Sequence, residues 1–515
     1  MGGIAPSQVG SADVRGVPAG GMARVATGAA ALMAGQAALV KVIAALGQVL
    51  LSWFLFPEDM GLIALATTVI SMVGLLQQGG VRQVLVHRQR AFGVWSTPAF
   101  WLSLAMGLIA LGVAAAVAPL AAQIYNEPAL VGLILVMALG MPIDALQAVP
   151  MARLQVDLRF KAIALVLFGM AAGAVALSVV LAWLGFGAYS VVLPKIPLGL
   201  MGLAAMWWLT RVPVRRRPMF RRWRFMLGDS ALVVATLALY AAGNAAVSFV
   251  LGRSGRTDDA GLYFWAYVLS LQTILVFSQQ LDPVLFASLS KLAADRARQM
   301  AGFVRSMRAL AMIVVPLSLL QAAAAEPLVR LIFAERWHAG IACLQILSVG
   351  MAFSAVSIPS ASMLQAQGRF RAQFLCALAG LTLLVGMLIA LRGRPIEWLA
   401  GAYAAYAAAS SIVHLVAIAW SGGGGAWAVA SRAARALAPG MAIGIIAGGA
   451  GLAASFWIDG PAWMQAVRLA VCAVVGVAAW VLAARALDPA ALDEIKGLGG
   501  GMTTRAIGAI RGRRG

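Results

Sequence analysis

Lys41, Asp144 and Lys195 sit inside apolar runs, where a hydrocarbon solvent would make them costly. Lys41 lies about halfway along the first such run, Asp144 within the fourth, and Lys195 in the sixth between Pro194 and Pro197. At the centre of a bilayer a charged side chain costs about 2.5–3.5 kcal/mol on insertion scales, so each should face a wet cavity or a partner. Lys41 is too deep to reach the interface by extending its stem. It fits either a cavity that receives an anion or a buried structural ion pair. The prolines beside Lys195 remove backbone donors and should bend or break the helix there. That places a cation at a break, or lets it reach toward the outer interface. Asp144 fits a partner for Lys41 or Lys195, or an ion-coupling group that titrates on its own.

Neutral polar residues extend the pattern. Gln48 lies seven positions after Lys41, nearly on the same helical face. Thr236, Tyr240, Asn244 and Ser248 recur every four residues and form one stripe. At an offset of 200 residues, Gln36 matches Thr236 and Gln48 matches Ser248. Two helices with matched polar faces suit the walls of one cavity, with Gln36, Gln48, Tyr240 and Asn244 as binding groups. Hydrogen bonding between membrane helices is the other use of such residues. His87, His338 and His414 are scattered, without metal-ligand spacing. No nucleophile elbow, phosphate-binding loop or catalytic carboxylate pair stands out. The pattern predicts a non-enzyme without cofactor, driven by an ion gradient, the membrane potential or downhill use of a substrate.

The elements that position these residues follow from composition. Of 515 residues, 62% are hydrophobic and 11% charged, and the mean hydropathy is +0.91. A soluble core cannot absorb that much apolar surface, so the bilayer must be the solvent. The net charge of +21 sits in short loops between apolar runs, which argues against nucleic acid. Cys343, Cys376 and Cys472 lie in or beside apolar stretches and read as small core residues, not as a disulfide. Fourteen runs reach the length of about 20 residues needed to span. With the N-terminus inside, Lys and Arg concentrate on the cytoplasmic loops and the acids Glu58, Asp59, Glu127, Asp258, Asp259, Glu326, Glu335, Glu397 and Asp459 on the other face.

The chain also repeats itself. Leu154-Gln155-Val156-Asp157-Leu158-Arg159-Phe160-Lys161-Ala162 returns 210 positions later as Leu364-Gln365-Ala366-Gln367-Gly368-Arg369-Phe370-Arg371-Ala372. Glu58-Asp59-Met60-Gly61-Leu62 returns after 200 as Asp258-Asp259-Ala260-Gly261-Leu262. Arg159 and Arg369 both fall on the cytoplasmic side, so the copies are parallel. The expected fold is an all-α polytopic membrane protein of about 14 transmembrane helices. Two parallel six-helix lobes are related by a pseudo-two-fold along the membrane normal, with two extra C-terminal helices. The expected divisions are a disordered cytoplasmic tail 1–24, an N-lobe 25–210, a basic linker 211–225, a C-lobe 226–421, extra helices 422–485 and a basic tail 486–515. Arg82 and Asp282 are mates at offset 200 at the cytoplasmic ends of spans two and eight. They are candidates for a salt bridge that closes the cytoplasmic mouth.

Four segments carry a resemblance. They are Leu51-Ser52-Trp53-Phe54-Leu55-Phe56-Pro57-Glu58-Asp59-Met60-Gly61-Leu62, Gly79-Gly80-Val81-Arg82-Gln83-Val84-Leu85-Val86, Val149-Pro150-Met151-Ala152-Arg153-Leu154 with Leu158-Arg159-Phe160-Lys161, and Leu364-Gln365-Ala366-Gln367-Gly368-Arg369. Their order within a fourteen-span frame resembles the polysaccharide transporters of the multidrug/oligosaccharidyl-lipid/polysaccharide (MOP) flippase superfamily, the Wzx-like flippases. The resemblance implies two lobes around a central cavity, alternating access, and passage of an undecaprenyl-diphosphate-linked oligosaccharide to the periplasmic leaflet for exopolysaccharide, O-antigen or lipopolysaccharide assembly. It implies a monomer in the bacterial inner membrane, with both termini cytoplasmic, and as possible partners a polysaccharide polymerase and export machinery. An anionic diphosphate would give Lys41 and Lys195 their reason. A multidrug or metabolite exporter of the same superfamily is the alternative. A polysaccharide polymerase or ligase is a further one, though the outer loops here are short.

Overall fold

The computed structural model describes residues 36, 39–77, 85, 92–157, 159–212, 214, 223, 231–292, 295–421, 426–458 and 460–489. The described residues are helical throughout, with no strand among them. Among the described residues ten helices are long and apolar enough to cross a membrane, and a bent pair makes up to eleven. Several of these helices outrun the apolar runs of the sequence, as Phe92–Tyr125 and Arg296–Ile332 do. The predicted tail at 1–24 and all of that at 486–515 beyond residue 489 lie outside the described residues, as do Arg82, His87 and most of the basic linker.

In the first half a short apolar helix α1 (Leu39–Ser52) leads to α2 (Pro57–Gly74), which opens with Pro57, Glu58 and Asp59. Proline suits a first turn, whose N–H has no intrahelical partner, and the two acids oppose the positive end of the helix. Helices α3 (Phe92–Tyr125), α4 (Ala129–Val156) and α5 (Phe160–Trp183) follow. The turn after α5 uses Gly185 and Gly187, both at positive φ. The chain then enters α6 (Tyr189–Val192), breaks at Leu193-Pro194 and resumes as α7 (Lys195–Thr210).

The second half begins with α8 (Ala231–Arg253), α9 (Thr257–Lys291) and α10 (Arg296–Ile332). The predicted tenth span is broken. It forms α11 (Ile341–Met351) and α12 (Ser354–Ala366), bent by 43°. The freed carbonyls find hydroxyls, Ser354 donating to Met351 and Ser411 donating to Phe353. Side-chain satisfaction of this kind is what tolerates a break within an apolar helix. The half closes with α13 (Phe370–Ala390) and α14 (Ile396–Ser421), after which α15 (Ala426–Ser455) and α16 (Ala462–Leu487) pack on α10. Two ion pairs join α10 to the α16 end, Arg468 with Glu326 at 3.1 Å and Arg308 with the buried Asp488.

The duplicated segment is duplicated in conformation. Arg159 and Arg369 cap α5 and α13 with φ, ψ of −82°, 51° and −89°, 51°. Each donates its N–H at 2.9 Å to the carbonyl five residues back, Leu154 or Leu364, and both leucines are fully buried.

The core is distributed unevenly along the helices. Toward the acidic turns one continuous cluster takes Leu55, Leu65 and Tyr125 from the first half with Tyr263, Trp265 and Trp337 from the second. Toward the arginine-bearing turns the described core separates. One cluster holds Phe92, Leu102, Val149 and Val212, and another Phe303, Met307, Leu364 and Ile418.

Candidate functional site in the membrane interior

The first half supplies charge. Gly199 lets α7 approach α4, since a Cβ there would already press on Ile143. Gln147 donates to the Gly199 carbonyl at 3.3 Å. This seam sets Asp144 of α4 and Lys195 of α7 near enough for their charges to act on each other, though they form no direct ion pair. Both side chains are exposed on the protein surface. Lys195 is the first residue of α7, with Pro194 as its cap, so its ammonium adds to the positive end of that helix. Lys41 and Gln48 are half-buried on α1, whose Gly47 packs against Val175 of α5. No described carboxylate lies within ion-pair distance of Lys41. Gln36 is helical and half-buried.

The second half supplies a cavity of about 600 Å³. Thr236, Tyr240 and Asn244 of α8 line one wall, as a stripe of period four must when it faces inward. Ser248, the fourth member, is buried beyond it. The opposing walls carry Gln373 of α13 and Tyr403, Tyr406 and His414 of α14. The Tyr403 hydroxyl lies 3.0 Å from Asn244 Oδ1 and 3.3 Å from the Tyr267 hydroxyl of α9. His414 Nε2 lies 3.1 Å from the Tyr240 hydroxyl, and its Nδ1 2.7 Å from the Ser410 carbonyl. No Asp, Glu, Lys or Arg is among the residues lining this cavity. Sequence reasoning found one wall and missed the other. The spacing Tyr403, Tyr406, Ser410, His414 places four polar groups on one face of a helix and carried the missing signal.

The two halves meet at the acidic turns. A Cβ on Gly61 would land in the Thr257 carbonyl, and one on Gly261 in the Pro57 carbonyl. The contact is reciprocal, and both pairs obey the offset of 200. Only glycine allows so close a backbone approach. Around it, Glu127 accepts from the Thr257 hydroxyl at 2.7 Å. Trp337 Nε1 donates to the Ser52 carbonyl at 2.9 Å, and Trp53 Nε1 to that of Ile332 at 2.9 Å. Arg336 donates to the Ser52 and Trp53 carbonyls, and its guanidinium covers the Phe56 ring at 4.4 Å. These groups satisfy the free carbonyls at the C-terminal end of α1. At the other end, Arg82 is outside the described residues; Asp282 lies in α9, but its side chain is outside them.

Comparison with known proteins places this architecture. A family model described as polysaccharide biosynthesis protein matches residues 50–342. The succinoglycan biosynthesis transport protein ExoT of Rhizobium meliloti (strain 1021) is 27% identical over 295 residues, 56% of this chain and 58% of that protein. The lipopolysaccharide biosynthesis protein WzxC of Escherichia coli (strain K12) is 24% identical over 333 residues, 62% of this chain and 65% of that one. The aligned region thus spans less than two thirds of either relative. Among solved structures, the lipid II flippase MurJ in an inward closed conformation superposes with a TM-score of 0.68 at 11% identity, covering 88% of this chain and 98% of its own. An inward-facing multidrug resistance MATE family transporter of the MOP superfamily gives 0.59 at 15% identity, covering 77% and 95%. The fold is that of this superfamily, and the chain, a multi-pass membrane protein, belongs to the polysaccharide biosynthesis protein family.

Proposed function

We propose that this protein moves a lipid-linked oligosaccharide, carried on undecaprenyl diphosphate, from the cytoplasmic to the periplasmic leaflet of the bacterial inner membrane by alternating access. The observation that carries the reading is the uneven core, which among the described residues is fused across the halves at the acidic turns and divided at the arginine-bearing turns. With the arginine-bearing end cytoplasmic, this is the arrangement of a transporter whose outer mouth is closed. Counting α1, α2, α9 and the bent pair as spans gives fourteen, arranged as two parallel lobes of six with α15 and α16 appended. The names of the relatives, a succinoglycan transport protein and a lipopolysaccharide biosynthesis protein, support the substrate class.

In this mechanism Lys41 and Lys195 meet the diphosphate. Asp144 balances the charge of Lys195 from a distance while the site is empty, and the anion takes over that balance when it arrives. Gln36, Gln48, Tyr240 and Asn244 offer hydrogen bonds to the sugar. Return to an inward-closed state would draw Arg82 to Asp282. The deciding experiment is flipping of a defined undecaprenyl-diphosphate oligosaccharide by the purified protein in proteoliposomes. Appearance of substrate in the opposite leaflet at a protein-dependent rate supports the reading. A rate equal to that of protein-free vesicles ends it.

A further inference from the structure

The described residues of the C-half cavity contain one group able to change its charge near neutral pH, His414. Its surroundings define two states. A carbonyl only accepts, so at 2.7 Å from the Ser410 oxygen the Nδ1 atom must carry hydrogen. In the neutral ring Nε2 then accepts from the Tyr240 hydroxyl at 3.1 Å. On protonation Nε2 becomes a donor, and the bond to Tyr240 must reverse. The phenol keeps its own proton and needs a new acceptor. Gln373 of α13 lines the same cavity and can offer its amide oxygen. One proton from cavity water ends on Nε2, one positive charge appears, and no covalent bond other than N–H is made.

The groups that face His414 could complicate this only if they ionised first. They are Tyr240 from α8, Gln373 and Cys376 from α13, and Tyr406 and Ser410 from α14 itself. None carries charge at neutral pH, so the proton on His414 would be uncompensated within the cavity. A charge of that kind shifts conformational populations most strongly where the alternative state brings it water or a counter-ion.

Polar contacts also lead from this cavity toward the seam at the acidic turns. Asn244 lies one turn beyond Tyr240 on α8 and is bonded to Tyr403, which touches Tyr267 of α9. Tyr267 is six residues from Gly261, whose backbone meets Pro57 across the seam. One helical turn and then the Asn244–Tyr403–Tyr267 hydrogen bonds thus lead from Tyr240 to the helix that carries Gly261.

We propose that His414 is a proton-binding site, and that its protonation, with reversal of the bond to Tyr240, is the step to which substrate movement is coupled. The coupling clause rests on the flippase reading, whereas the proton site does not. Two measurements separate them. In protein labelled with 13C at histidine Cε1 and held in nanodiscs, the resonance lost in His414→Gln should change its chemical shift as the pH is lowered from about 8 to about 4. A resonance that stays fixed across that interval overturns the site. In proteoliposomes, the ratio of flipping rates with and without an imposed pH gradient should exceed one for the wild type and fall to one for His414→Gln. Tyr240→Phe should keep the titration yet lower the ratio. A ratio unchanged in both variants overturns the coupling. If the wild type moves no lipid-linked oligosaccharide at all, the flippase reading fails while the titration still decides the proton site.

Discussion

The two halves share a scaffold and differ in what they hold inside. Arg159 and Arg369 turn the chain with the same dihedral angles, and Gly61 and Gly261 exchange the same backbone contact. The interior groups have no such symmetry. The first half presents Lys41, Asp144 and Lys195, whereas the second presents tyrosines, amides and an imidazole around a cavity without fixed charge. At offset 200 Lys41 falls on Ala241. Duplicated contacts thus maintain the frame, and the polar interior is single-copy. On the proposed function, a charged region and a neutral hydrogen-bonded cavity suit a ligand that is itself anionic at one end and hydroxylated at the other.

The sharpest way to break this comparison is to remove the charge from the first half. Lys41→Ala should leave the protein in the membrane and abolish polymer export, with lipid-linked oligosaccharide accumulating on the cytoplasmic leaflet. Normal export would show that the cationic half is not where the anion is met. Next in size, Gly61→Val and Gly261→Val should each hold the outer seam apart and slow flipping by roughly a hundredfold, about 2.7 kcal/mol. Because the contact is reciprocal, the two should agree within a few-fold, and a cysteine at Ser52 should become reactive from outside in both. A large inequality between them would mean that only one half of the seam is needed.

Smaller effects refine the contrast. Lys195→Ala should lower the rate about tenfold, or 1.4 kcal/mol. Lys195→Arg should restore most of it, because a diphosphate accepts either cation. Failure of arginine to rescue would point to a structural role for Lys195 with Asp144. In the neutral half, Tyr403→Phe removes one hydroxyl bonded to Asn244 and Tyr267 and should cost about 1 kcal/mol in thermal stability, with a few-fold loss of rate. A loss as large as that of Lys41→Ala would erase the distinction between the halves.

Sequence reasoning reached the frame more easily than the interior. The polar period of four on α8 and the repeated Leu-Gln-x-x-x-Arg segments are local patterns, and local geometry preserves them. The bend between α11 and α12 was hidden because no glycine or proline marks Ala352-Phe353. Its carbonyls are satisfied from afar by Ser411, a partner that sequence spacing does not reveal. The hook of Arg336 and Trp337 on Ser52 joins residues nearly three hundred positions apart. His414 gave no sign alone, because a single histidine has no spacing. Its meaning came from Tyr240, a residue on another helix.

The reciprocal glycine contact has a consequence for the cell's energy supply. A transporter of large substrates risks a conducting path for small ions each time its mouths exchange. Side chains hop between rotamers within nanoseconds, so a plug made of them flickers. At Gly61 and Gly261 the closest approach is between main chains, which have no rotamers to exchange. Such a seam should keep proteoliposomes proton-tight and electrically tight while the outer mouth is shut, and the membrane potential would survive every idle moment of the protein.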